Sequence, residues 1–142
     1  MRSVQQLLEE KAQRLLSIKP TASVLDALKL MAEKDVGALV VLDGEKLVGI
    51  FSERDYARKI ILFGKSSQDT SVGEIMTPRV VCVRPEETAD QCMSLMTEKR
   101  VRHLPVLSEK KVIGIISIGD VVRAMISDQQ QMIQQLEQYI MS

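Results

Sequence analysis

A chain of 142 residues with 45% apolar content and a mean hydropathy of +0.01 can close a core without disulfides or metal, and reads as an ordinary soluble globular protein. Nineteen basic against nineteen acidic residues leave no net charge, and two Tyr, two Phe and no Trp leave little to stack on bases, so composition argues against nucleic acid and against an anionic membrane. The first residues lack the apolar core of a signal peptide and no apolar run approaches a membrane span, so the expected compartment is the cytoplasm.

In chain order, Ser3 to Lys11 places Val4, Leu7 and Leu8 at helical spacing and predicts a short lead-in helix within a segment 1–14. Leu15 to Ile18 reads as a strand closed by Pro20, and Ser23 with Asp26 opens a helix whose apolar face is Val24, Leu28, Met31 and Ala32. Val36 to Leu42 is a nearly unbroken apolar run, as in a strand buried on both faces; Asp43-Gly44 marks a turn, Leu47 to Phe51 is the returning strand, and Glu53 to Phe63 is a second helix. Residues 15–63 thus form a unit of strand, helix, strand, strand, helix. A linker, 64–75, contains loop-forming Gly64-Lys65-Ser66-Ser67-Gln68-Asp69-Thr70, short enough that the flanking units should pack together, and a helical turn over Val72 to Met76 precedes Thr77-Pro78.

The second unit, 76–127, has a predicted strand at Val80 to Val83, a helix opened by Thr88 with Gln91 as capping pair, a hairpin from His103 to Ser117 and a closing helix. That helix runs on into an extension, 128–142, with Val122, Met125, Ile126, Ile133, Leu136 and Ile140 on one stripe. Such a stripe wants a surface: the chain's own core, or the lead-in helix of a second chain. A homodimer is therefore expected. Cys82 and Cys92 lack the spacing of a redox or zinc pair and read as core thiols, and with them the single His103 makes no convincing metal site.

The two units are copies. Gly49-Ile50-Phe51-Ser52-Glu53-Arg54-Asp55 recurs 65 positions on (114 minus 49) as Gly114-Ile115-Ile116-Ser117-Ile118-Gly119-Asp120. Without a gap the same offset pairs Pro20 with Pro85, Met31 with Met96, Val41 with Val106 and Arg58 with Arg123, and about a third of all pairs are identical. In each copy an apolar strand leads into Ser, with Asp three residues later and a helix following. One reading is a capping box, with the carboxylate also complementing the helix dipole. The other uses the same helix start as an anion site, where Ser donates to a phosphate and Asp accepts both hydroxyls of a ribose.

These stretches, with Glu74-Ile75-Met76-Thr77 and Val101-Arg102-His103-Leu104-Pro105-Val106, resemble the tandem cystathionine-β-synthase (CBS) domain, two copies of which form a Bateman module. Ser52 to Tyr56 looks like the small stand-alone bacterial members. The resemblance covers about residues 12 to 127. It implies an α/β fold of the α+β type, in which two β-α-β-β-α repeats pack with pseudo-two-fold symmetry and leave two clefts for AMP, ADP, ATP, S-adenosylmethionine or NAD. It implies Asp55 with Ser52, and Asp120 with Ser117, as ribose and phosphate contacts, with Ile50 and Ile115 beside them. Thr77, Val80 and Cys82 would line the Asp55 cleft, and Ala12, Leu15 and Ser17 the other. Arg54, Arg102 and His103 would meet phosphates between the clefts. Gly37-Ala38 stands in place of Arg102-His103, Ala12 in place of Thr77 and Gly119 in place of Arg54, so the Asp55 cleft is expected to be the better equipped.

With no nucleophile, base and orienter set and no metal cluster legible, the expectation is a non-catalytic module that senses an adenine nucleotide or NAD without metal, and signals through its own dimer or an unknown regulated protein. The alternative is an interaction scaffold with vestigial clefts.

Overall fold

A computed structural model describes residues 1–11 and 14–142. Its elements are α1 (Val4–Lys11), β1 (Ser17–Ile18), α2 (Val24–Lys34), β2 (Ala38–Asp43), β3 (Lys46–Ser52), α3 (Glu53–Asp55) widening at once into a π-helical stretch Tyr56–Ile61, α4 (Val72–Ile75), α5 (Ala89–Lys99), β4 (His103–Ser108), β5 (Lys111–Ser117) and α6 (Ile118–Met141). The fold mixes helices with two small sheets, as expected for the α+β type. The helix expected over 53–63 is thus only partly α. The strand expected at Val80 to Val83 shrinks to a single parallel bridge from Val83 to Val106.

The chain divides into two compact units, one of Leu15–Val81 with Glu109–Val112, the other of Met1–Arg14, Cys82–Ser108 and Ile113–Ser142. In the first, β1 lies parallel to β2 and β2 antiparallel to β3, with Val40 opposite Ile50 and Ala38 opposite Ser52. Ala38 to Val41 are all buried, as the apolar run predicts. Leu39, Val41 and Phe51 meet Val24, Ala27 and Met31 of α2, and Val72 and Ile75 of α4 close the same core. Ser23 caps α2 by accepting the Asp26 N–H, and Asp35 ends it in a left-handed conformation.

Each lead-in helix packs on the repeat that does not follow it. α4 precedes the second repeat, yet the Gly73 N–H donates to Pro20 O and Val72 N–H to Ala22 O, both at 2.8 Å. α1 precedes the first repeat, yet Val4 N–H donates to Glu87 O at 2.7 Å and Gln5 N–H to Pro85 O at 3.0 Å. Val4 and Leu7 are buried there in the unit that holds Ala89, Cys92, Met96, Leu104, Ile116 and Val121. Burial, with Glu87 adding to it, pushes the Cys92 thiol up to about 11, and burial alone raises Cys82, so both are held as thiols at neutral pH.

The β4–β5 turn has no glycine, and both of its central residues, Glu109 (φ 51) and Lys110 (φ 69), take the left-handed conformation that a two-residue hairpin turn demands. That conformation costs a side-chain-bearing residue about 1–2 kcal/mol, part of which glycine would return as chain entropy. Lys110→Gly should therefore raise the melting temperature by about 2–4 °C in a calorimetric scan, corresponding to roughly 1 kcal/mol. An unchanged or lower midpoint would count against strain at this turn.

Candidate functional site

The strand-to-helix turns build the two candidate sites, each within one unit. At the first, Ser52 and Asp55 form a reciprocal cap: Asp55 N–H donates to Ser52 Oγ at 3.3 Å, and Ser52 N–H donates to Asp55 Oδ2 at 3.0 Å. Asp55 is 5% exposed. Its second oxygen, Oδ1, accepts the Thr77 hydroxyl at 2.8 Å and the Lys59 ammonium at 3.2 Å. Thr77 is delivered by a two-bond bridge, Ile50 N–H to Thr77 O at 2.9 Å and Thr77 N–H to Ile50 O at 2.8 Å. Gly49 makes that approach possible, because a Cβ there would stand 2.6 Å from Met76 Sδ and 3.0 Å from Thr77 O.

The second site repeats the cap and changes the rest. Ser117 N–H donates to Asp120 Oδ2 at 2.8 Å and Asp120 N–H to Ser117 Oγ at 3.2 Å. Lys11, at the end of α1, reaches Asp120 Oδ2 at 2.9 Å and Ile115 O at 3.0 Å, while Arg123 donates to Asp120 Oδ1 at 2.8 Å. Gly114 matches Gly49, since a Cβ there would stand 2.6 Å from the Leu8 side chain of α1. Burial raises the Asp120 carboxyl, but the Ser117 N–H and then Lys11 outweigh it and hold the group below its usual range. His103 is half-buried, and burial first, then the nearby Lys11 ammonium and Arg102, lower it against the opposing pull of Asp120.

The structure therefore gathers Ile50, Ser52, Asp55 and Thr77 at one turn, and Ile115, Ser117, Asp120 and His103 at the other. Arg102 and His103 fall in the unit of Asp120, where Arg102 O accepts the Ile118 N–H at 2.8 Å. The counterpart contact at the first site comes from Gly37, whose carbonyl accepts the Glu53 N–H at 3.1 Å. Among the described residues, Asp120 pairs with two cations, Lys11 and Arg123, and Asp55 with Lys59. Arg54 and Arg102 are exposed and Val80 and Cys82 half-buried; Leu15 and Ser17 lie in the other unit from Asp120, and Ala12 lies outside the described residues. Sequence reading missed both lysines. Lys59 was findable, because it lies four residues after Asp55 on one helical face. Lys11 carries no local signal; its only clue is that the repeat offset sets it beside the counterpart of Thr77.

A model of the CBS domain matches residues 11–62 and again 72–127. The chain belongs to the CBS-domain family. It is 47% identical over 123 residues to the mitochondrial CBS domain-containing protein CBSX3 of Arabidopsis thaliana, matching over 83% of this chain and 60% of that one, so it spans less than two thirds of that relative. A solved protein with CBS domains from Burkholderia ambifaria MC40-6 is 50% identical, with a TM-score of 0.86 over 90% of this chain and 96% of its own. The CBS domain pair of protein MJ0100, solved in complex with 5′-methylthioadenosine and S-adenosyl-L-methionine, is 25% identical, with a TM-score of 0.78 over 87% and 99% of the two chains. Among the described residues, no helix of this CBS pair is long and apolar enough to cross a membrane.

Because the His103 imidazole is lowered in the folded chain, the unfolded chain takes up its proton first. Its contribution to stability is full above the ordinary value near 6.5 and is lost as pH falls from there through the folded value. Lys11→Met should move the single imidazole titration, followed by NMR, toward higher pH and make that acid loss of stability smaller. An unmoved titration would mean that Lys11 does not act on His103.

Proposed function

We propose that the protein is a non-catalytic regulatory module that binds an adenosine-containing ligand, AMP, ADP, ATP or NAD, at the Asp55 turn and at the Asp120 turn. What carries this reading is the division within the Asp55 carboxylate. Oδ2 is committed to the helix cap, whereas among the described residues Oδ1 meets a hydroxyl and a half-exposed lysine, partners that ribose hydroxyls can replace. Lys11, Arg123 and His103 around Asp120 favour a ligand that also carries phosphate. The complex of the MJ0100 domain pair supports the adenosine class. The output would pass through a homodimer or through a regulated protein.

A second reading, a scaffold with vestigial sites, draws on one observation: both carboxylates already bond to several donors of their own chain. Thermal unfolding with AMP, ATP, NAD or S-adenosylmethionine separates the two. Ligand at about a hundred times its dissociation constant adds roughly 2.7 kcal/mol, a rise of about 5–10 °C. In Asp55→Ala the ligand-induced rise should fall by more than half, while Asp120→Ala keeps most of it. Unliganded Asp55→Ala should itself melt several degrees lower, since the Ser52 N–H and Thr77 hydroxyl lose their acceptor at roughly 1–3 kcal/mol. If no adenosine compound at millimolar concentration moves the wild-type midpoint, the scaffold reading stands instead.

A further inference from the structure

We propose that the carboxyl-terminal half of α6 is one strand of a parallel, two-stranded coiled coil formed with a second copy of this chain. Every residue from Gln129 to Ser142 is exposed, so among the described residues nothing of the same chain covers this half of the helix, which does not fold back on the core. Fourteen residues is about the length at which an isolated helix is only marginal in water, so the segment needs a neighbour. The lead-in helix is already engaged: Val4 and Leu7 are buried in their own unit, and Arg2, just before the helix, bonds Ser127 Oγ at 2.9 Å and pairs with Asp128 at 3.1 Å.

The apolar spacing specifies the neighbour. Val122, Ile126, Gln129, Ile133, Leu136 and Ile140 follow one another in alternating steps of four and three, the heptad seam of a left-handed coiled coil. β-branched Ile at 126, 133 and 140, alternating with Leu136, is the arrangement that favours two parallel strands. At 100° per residue the seam lies roughly 130° around the helix from buried Val121 and Ala124, so two copies can meet along it with their folded bodies held outward. Ile126, Ile133, Leu136 and Ile140, flanked by Met132 and Tyr139, are 49–81% exposed. Together they present on the order of several hundred Å², beyond what scattered surface apolar groups explain and approaching the roughly 800 Å² per partner of a stable interface.

Charge favours an identical partner. The residues flanking the seam are Arg123, Gln130 and Glu137 on one side and Met125, Met132 and Tyr139 on the other, so parallel pairing sets no like charges together. Gln129 sets the direction. In a parallel pair in register the two Gln129 amides face and satisfy each other, whereas an antiparallel pair buries each against Ile133 of the other chain. The antiparallel pair gains exposed Arg123–Glu137 contacts, which return less than two unsatisfied buried amides cost.

The test uses the full chain without nucleotide, so its outcome is independent of ligand binding. Light scattering at micromolar concentration should give about twice the 15.9 kDa chain mass. The double variant Ile133→Asp, Leu136→Asp, at positions exposed in the single chain, should weaken association at least a hundredfold, with an unchanged melt of the folded body as the control. Mild oxidation of Gln129→Cys should link two chains nearly completely, while the wild-type chain, with Cys92 buried and Cys82 half-buried, does not link. A monomer, association that survives the double variant, or Gln129→Cys chains that associate without linking would each overturn the proposal.

Discussion

The carboxylate that closes each strand-to-helix turn is the contact on which the rest of both sites depends. In the first repeat, Asp55 Oδ2 holds the Ser52 backbone and thereby fixes where β3 stops and the helix starts. A cap of this kind is worth on the order of 1 kcal/mol, modest as stability but decisive for direction, because it leaves Oδ1 a single orientation. Thr77 then meets that oxygen because its backbone is pinned twice to Ile50, and the pinning works only because residue 49 has no side chain.

The exchange of lead-in helices explains why neither site is local in sequence. α4 brings the 76–77 segment to the first repeat and α1 brings Lys11 to the second, over 22 and 109 residues of separation from the aspartates they meet. The two turns have thereby become electrostatically different. Asp55 takes its ammonium from its own helix, four residues on, and adds a neutral hydroxyl. Asp120 takes one cation from α1 and another from Arg123, with His103 close enough to be lowered by the same charge.

Much of this was legible from residue order, and the part that was not has a physical cause. The gap-free repeat, the capping pairs Ser23–Asp26, Ser52–Asp55, Thr88–Gln91 and Ser117–Asp120, and the buried strand at 38–41 all follow from short-range rules and are present. Thr77 beside Asp55 was accessible only through the family resemblance. Lys11 escaped because a long side chain arriving from a distant helix leaves no trace in local periodicity. The strand expected at Val80 to Val83 fails for a related reason: an apolar run makes a strand only where a neighbour offers its edge, and here the ladder is a bridge at Val83.

The π-helical stretch after Asp55 bears on how far the two halves can be compared. Its wider turns advance each residue around the axis by less than the α-helix does in the second half. Residue 60 therefore faces inward where the second half buries residue 124, although a shift of 65 makes 59 the partner of 124. Lys59 is turned out of the core and onto the carboxylate, while Ala124 at the matching place is buried. Duplication has preserved order along the chain without preserving azimuth around the helix, and one such half-step of rotation is enough to give twin turns unlike chemistry.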